Sequence, residues 1–320
     1  MPLALVVHGG AGAIRPERQD PARAGCSAAA LAGWGVLAAG GSALDAVQAA
    51  IVALENDPGF NAGTGAVLTA DGRAELDAGL MDGQTLQVGA VASVIRMKNP
   101  IALARRVLAS PHVLLTGTGA EQFALAAGLP LCDPADLVTP AQRERWRNGN
   151  GQGGATSIGA PAGSGQLAVA TLPGADSYAL DDDGDRHGTV GAVAVDGAGR
   201  VAAGASTGGI AAKHPGRVGD TPLVGCGFYA EEGLGGVSST GHGEDFIRLL
   251  LARRAAEMLG AGLSAQAAAC EAIWLLQRRA GGSGGLIVLD AEGRVGAARN
   301  TPAMAYAYVV EGMVEPIAGI

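Results

Sequence analysis

His187-Gly188-Thr189-Val190-Gly191 decides how this chain is read. Val190 opens an apolar run, 190–195, that suits a buried strand. Upstream, residues 142–187 drift into Gly, Ser, Pro and Asp with no usable periodicity, which reads as a flexible linker inside one domain. A threonine thus stands where a tether meets a strand. A backbone break before Thr189 would give it a free α-amine beside its own hydroxyl, a known way to activate a weak nucleophile. The expectation is self-cleavage at Gly188–Thr189 into segments 1–188 and 189–320, then hydrolysis of small amides by Thr189. Glycine at 188 tolerates the strained backbone that such a cut demands. The released amine, with an ordinary pKa of about 8, can serve as general base. Taken alone, Thr189 reads more readily as an ordinary strand-edge threonine.

Working outward, the 320 residues carry a net charge of −8 and no basic block, which argues against a nucleic-acid partner. Glycine accounts for 53 positions, so many tight turns and close backbone approaches are expected. Cys26, Cys132, Cys226 and Cys270 stand too far apart for a zinc site or a disulfide framework. They suit a reducing compartment. The apolar patch 3–7 is too short for a secretory signal, and no apolar run reaches membrane length. A soluble cytoplasmic protein is expected.

In chain order, residues 3–7 read as a buried strand ended by a glycine turn at 8–12. A helix over 22–39 begins with Pro21 in its first turn, and Gly40-Gly41 stops it. Ser42, with Asp45, caps a second helix over 43–55. Pro58 and Gly59 then force a compact polar loop that suits either a hard cation or a plain turn. Strands are expected at 66–69, 74–78 and 86–95, the first two joined by an Asp71-Gly72 hairpin turn. Helices over 103–109 and 121–127 flank a strand at 113–116. Gly149, Gly151 and Gly154 spell GxGxxG, but neither a strand before nor a helix after supports a dinucleotide site. Beyond Thr189, strands 190–195 and 200–205 form a hairpin, and a long loop spans 206–243. Helices 244–259 and 264–280 follow, then strands 286–289, 294–298 and 303–310. Two mostly antiparallel sheets packed together with helices outside would use every element, an α+β four-layer αββα sandwich forming a single domain, 1–320.

His8-Gly9-Gly10-Ala11-Gly12, Phe60-Asn61-Ala62-Gly63, His187-Gly188-Thr189-Val190-Gly191, Ser206-Thr207-Gly208-Gly209, 216–223 (GRVGDTPL) and 239–244 (STGHGE) together resemble the plant-type L-asparaginase/isoaspartyl peptidase family of N-terminal nucleophile hydrolases. The resemblance covers nearly the whole chain apart from the linker. It implies Thr189 as nucleophile and no cofactor for catalysis. The substrates implied are asparagine and β-aspartyl dipeptides, and the assembly implied is a homodimer of αβ units. Thr207 matches the family's second threonine, beside the nucleophile. Thr240 and Gly241 match a pair resembling an oxyanion hole, one hydroxyl and one backbone N–H. Arg217 would grip an α-carboxylate with two parallel bonds and Asp220 an α-ammonium, although by themselves they read as a surface ion pair. Gly243 joins them among the substrate-binding positions, and Asn61 matches an asparagine near the scissile bond. Leu54, Glu55, Asp57, Phe60, Ala62 and Thr64 align with a loop that holds structural sodium, mostly through carbonyls. Ile210-Ala211-Ala212-Lys213 departs from the family's polar pair before lysine, which bears on the preference between asparagine and isoaspartyl peptides.

Two rivals follow from the same residues. Gly204-Ala205-Ser206-Thr207-Gly208 fits GxSxG, with Asp220 and His242 in workable order for a serine hydrolase. That chemistry needs a helix directly after the serine, and the glycines and prolines of 208–222 forbid one. A glycosylasparaginase is the nearer alternative, but its nucleophile usually follows Asp, where Gly188 stands here.

Overall fold

A computed structural model describes residues 2–150 and 188–320. In chain order these form β1 (Ala4–Gly12), α1 (Pro16–Ala38), α2 (Ala43–Asn56), β2 (Leu76–Asp82), β3 (Val88–Val94), α3 (Pro100–Leu108), β4 (Leu114–Thr116), α4 (Gly117–Ala126), α5 (Pro140–Asn150), β5 (Val190–Val195), β6 (Val201–Thr207), β7 (Phe228–Glu231), β8 (Gly235–Gly241), α6 (Gly243–Leu249), α7 (Leu251–Gly260), α8 (Ala265–Ala280), β9 (Gly284–Asp290), β10 (Val295–Arg299), β11 (Ala303–Val310) and β12 (Ile317–Gly319). The result is a mixed α/β fold with two sheets and, among the described residues, eight α-helices. One sheet has the order β12-β11-β1-β5-β6-β2-β3-β4, the other β10-β9-β8-β7. Every named ladder is antiparallel except β3 with β4.

Strand alternation decides which residues meet which layer. Val190, Ala192 and Ala194 of β5, with Leu5 and Val7 of β1, join the core formed with α1 and α2. Val193 and Val195, with Val6 and Ala203, join a second core with Phe228, Val237 and Leu286 of the small sheet. Helices α7 and α8 pack on the small sheet through Ala255, Ala268 and Ile273. Continuing the alternation backwards along β5 sets Gly191 and Thr189 on the face turned toward the small sheet.

Several expectations are corrected. The first strand does not end in a turn at His8; β1 runs through the glycines to Gly12, with its register to β11 shifting between His8 and Ala11. The first helix starts at Pro16, with Pro21 inside it. Residues 66–69 form no strand. Thr69 and Arg73 close a tight turn around Asp71-Gly72, while Leu68 and Ala70 bond to the 212–213 loop rather than to a hairpin partner. The hairpin is β2–β3 instead. The linker reading begins too early: residues 140–150 are helical, capped by Thr139 Oγ1 accepting from Gln142 N, and Trp146 packs over Gly72. The remainder of that linker, with Gly151 and Gly154, lies outside the described residues. The long loop 206–243 contains β7, only four residues long, and β8, whose glycines and serines hide the apolar alternation. The helix expected over 244–259 is broken at Leu250, which adopts φ 51°.

Some close approaches require glycine. A Cβ on Gly89 would stand 2.0 Å from Ala104 O and 2.3 Å from Leu108 N of α3. Overpacking of this kind costs about 1–3 kcal/mol. Gly89→Ala is therefore expected to lower stability by that amount, read as a fall in Tm, because backbone rather than a movable side chain blocks the methyl.

Candidate active site

Thr189 sits one residue ahead of β5 and is 7% exposed. Ladder β5–β6 pairs Val190 with Ser206, so one further step sets Thr189 opposite Thr207. Both then face the small sheet. Thr207 Oγ1 accepts from Gly209 N at 2.9 Å, which pins the turn leaving β6.

The residue before Thr189 is enclosed by glycine and hydroxyl. A Cβ on Gly188 would stand 2.4 Å from Thr240 Oγ1, and one on Gly10 only 2.5 Å from Gly188 N. Gly10 has φ 107°, a conformation that other residues rarely adopt. Thr240, fully buried on β8, accepts from Ala11 N at 3.2 Å. A hydroxyl has one donor besides its lone pairs, so the Thr240 proton remains available to the Gly188 region.

Beneath Thr189 lies His8. Its Nε2 is 2.9 Å from Ser238 Oγ, which donates to Gly204 O at 3.1 Å. Burial pushes the His8 imidazole down to about 3, against a smaller opposite effect from the Thr189 backbone, so the ring is neutral. Gly191 makes room for this pair: its Cβ would stand 2.0 Å from Ser238 Oγ and 2.6 Å from His8 Nε2.

Arg217 and Asp220 do not pair as a simple surface bridge. Arg217 forks onto Glu244, Nε to Oε1 at 2.9 Å and Nη2 to Oε2 at 2.7 Å, and this bond holds the Glu244 carboxyl down near 2. Its Nη1 lies against Gly219. Asp220 is buried, with Ser239 Oγ donating to Oδ2 at 3.4 Å and Oδ1 beside Gly243. Burial pushes its carboxyl up to about 7, opposed by its own backbone N–H and by Arg217. Gly243 has no room for a side chain, because Asp220 Oδ1 would be 2.8 Å from its Cβ. Gly241, the last residue of β8, pairs with Gly284.

Asn61 holds loops together. Its Nδ2 donates to Gly209 O at 2.7 Å, and its Oδ1 accepts from Val67 N at 2.9 Å. In the polar loop after α2, Gly63 and Gly65 leave room for backbone carbonyls: Glu55 O and Lys98 O beside Gly63, Pro58 O and Phe60 O beside Gly65. Such oxygens fit a hard cation. The Glu55 side chain points elsewhere, accepting from Ser206 Oγ at 2.7 Å and Ile101 N at 3.0 Å. No cluster of three His, Cys, Asp or Glu suited to a metal occurs among the described residues.

The serine-hydrolase constellation does not assemble. Ser206 faces the helices and donates to Glu55, while His242 bonds Asp245 at 3.0 Å and Glu244 at 3.3 Å. The chain after Thr207 is loop, not helix.

Sequence reasoning assigned no role to Thr221, Ser238 or Glu244. Thr221 Oγ1 lies 3.0 Å from Thr189 Oγ1, across 32 residues of chain. Periodicity carries no signal for such a contact. The four cysteines are free thiols, and no described helix is long and apolar enough to cross a membrane.

The asparaginase family profile matches residues 1–318. A plant-type L-asparaginase of Pyrococcus abyssi is 46% identical, covering 99% of this chain and 100% of the relative. The isoaspartyl peptidase/L-asparaginase of Homo sapiens is 40% identical, covering 97% and 94%. That of Xenopus laevis is 42% identical over 95% and 91%. Matches of this extent, on a chain whose motifs gather around Thr189, mean that the protein belongs to the asparaginase family.

Proposed function

We propose that the chain is a self-processing threonine amidohydrolase that releases aspartate from β-aspartyl dipeptides and from asparagine. The observation that carries this reading is the packing of Gly188 between Gly10 and Thr240, next to a buried Thr189 hydroxyl. The names of relatives that act on asparagine and isoaspartyl peptides support the substrate class.

In the first reaction, Thr189 Oγ attacks the Gly188 carbonyl carbon. The Gly188–Thr189 C–N bond breaks, the hydroxyl proton passes to the departing nitrogen, and an ester forms. Water then hydrolyses the ester, leaving Thr189 with a free amine. In turnover that amine takes the hydroxyl proton as Oγ attacks the substrate's side-chain amide. The Thr240 hydroxyl and Gly241 N–H would stabilise the oxyanion, and Thr207 would steady the nucleophile from across the ladder. Asp220 would accept the substrate ammonium, with Gly243 leaving space beside it. Arg217 would take the carboxylate, exchanging part of its fork with Glu244.

The same reading extends to architecture. Helices α1–α3, the large sheet, the small sheet and helices α7–α8 would make the four layers of an αββα sandwich. The subunits would be 1–188 and 189–320, assembled as a homodimer of αβ units. The carbonyls of Leu54, Glu55, Asp57 and Phe60, with Ala62 and Thr64, would hold a structural sodium ion that takes no part in the reaction. The free thiols suit a cytoplasmic setting.

Three outcomes are expected. Thr189→Ala should stay intact, folded and inactive, on a gel where the parent chain yields two bands; an active Thr189→Ala would refute the assignment. Arg217→Ala should raise KM by about tenfold or more with a smaller change in kcat, measured with asparagine. The third concerns pH. Asp220 titrates near 7 when folded and near 3.8 when unfolded, so the folded state binds the extra proton between those values. Its contribution is present below pH 3.8 and is lost as pH rises through about 7, by at most about 4 kcal/mol. Asp220→Asn should flatten that part of the stability–pH curve, followed by urea unfolding from pH 4 to 8.

A further inference from the structure

The contact between Thr189 Oγ1 and Thr221 Oγ1 has no counterpart in the roles assigned above. Thr221 is 1% exposed, and the two oxygens are 3.0 Å apart. Thr221 is also held firmly. A Cβ on Gly227 would lie 2.6 Å from Asp220 O and 2.8 Å from the Thr221 Cα, so this backbone can pack there only against glycine. Leu223 N donates to Asp220 O at 2.9 Å. Gly227 O in turn accepts from Ser239 N at 2.8 Å. The Thr221 backbone is thereby held against β8 at Ser239, the neighbour of Thr240.

We propose that Thr221 is a further catalytic residue, whose hydroxyl orients Thr189 Oγ for attack on the Gly188 carbonyl. This rests on the self-cleavage reading. In the uncut chain the Thr189 nitrogen is still an amide and cannot act as a base, so orientation of the hydroxyl matters most at that step. A threonine side chain has a small set of staggered χ1 positions. A hydrogen bond from Thr189 Oγ to Thr221 Oγ1 selects one of them and turns the remaining Thr189 lone pairs away from Thr221. Thr221 does not retain the proton, since a neutral hydroxyl is a weak base; the proton leaves to the Thr189 nitrogen as the C–N bond breaks. The arrangement also joins two tasks in one dipeptide, with Asp220 on the substrate side and Thr221 on the nucleophile.

The test is a time course of self-cleavage on the full-length chain, read by intact mass, for the parent, Thr221→Val, Thr221→Ser and Thr189→Ala. Valine keeps the shape of threonine without its hydroxyl; serine keeps the hydroxyl without the methyl. Thr221→Val should cleave about tenfold more slowly than the parent, the value of one lost hydrogen bond to the reacting atom. Thr221→Ser should remain within about threefold. If valine at 221 does not fold, Thr221→Ala should show the same slowing. Cleavage of the Val or Ala variant at the parental rate overturns the proposal, as does a Ser variant as slow as the Val variant. A parent chain that never cleaves overturns the self-cleavage reading itself, whereas a cleaving parent with an indifferent Thr221→Val overturns the role of Thr221 alone.

Discussion

The close approach of the two sheets beneath Thr189 is the constraint on which the rest depends. At Gly191 the space a methyl would need is taken by Ser238 Oγ and His8 Nε2, and at Gly236 by the Val193 side chain. Interiors are close-packed, so such gaps cannot be widened at one point without moving both sheets. The shortness of the gap lets side chains of β8 reach the strands of the large sheet. Thr240 crosses it to the Ala11 amide, and Ser238 crosses it to His8 and Gly204. Thr189, one residue ahead of β5, therefore lies near hydroxyls carried by a different sheet. The glycine content is the compositional cost of that geometry.

Burial does more than pack the site. Asp220 and Glu244 approach the same arginine and have opposite fates. Glu244 lies partly in solvent under the Arg217 fork, so its charge is favoured. Asp220 is enclosed, so desolvation outweighs the arginine and its neutral form gains. Two carboxylates in one loop cluster are thus given well-separated titration ranges by environment alone. Behind them, Lys213 and Asp77 form a buried pair 3.8 Å apart, with Lys213 Nζ donating to Glu75 O. Burial lowers the lysine and raises the aspartate. Glu75 also accepts from Gly216 N at 2.8 Å, so this network anchors the loop that presents Arg217.

Strand alternation separates the two candidate nucleophile chemistries. Ser206 and Thr207 are neighbours in sequence, but successive side chains point to opposite faces. Ser206 turns to the helices and meets the Glu55 carboxyl, which burial pushes up to about 8. Thr207 turns to the small sheet, opposite Thr189. One residue of register is the whole difference between a serine in the helix-facing core and a threonine in the site.

Several features were legible in the residues alone. The hairpin at 190–205 was, because Asp196 in its turn accepts from Ala198 N and Arg200 N as a short polar turn residue should. The cap of α2 was, because Ser42 needs only Asp45, three residues away. Thr189 stood out as the candidate nucleophile because its motif is contiguous. What stayed hidden depends on distant partners. Strand β8 escaped notice because residues flattened to glycine and serine for sheet contact lose the alternation that marks a strand, and β7 because four residues are too few to show a period. Residues 142–150 read as linker because a helix with a mostly polar surface carries little apolar period, though Trp146 and Gln142 anchor it. Thr221 could not be singled out, since a hydroxyl in a Gly- and Pro-rich loop says nothing of what lies 3.0 Å away. Local rules act over a few residues and can be read from the chain; the meeting of Thr189, Thr221 and Thr240 was decided only when two sheets closed to glycine distance.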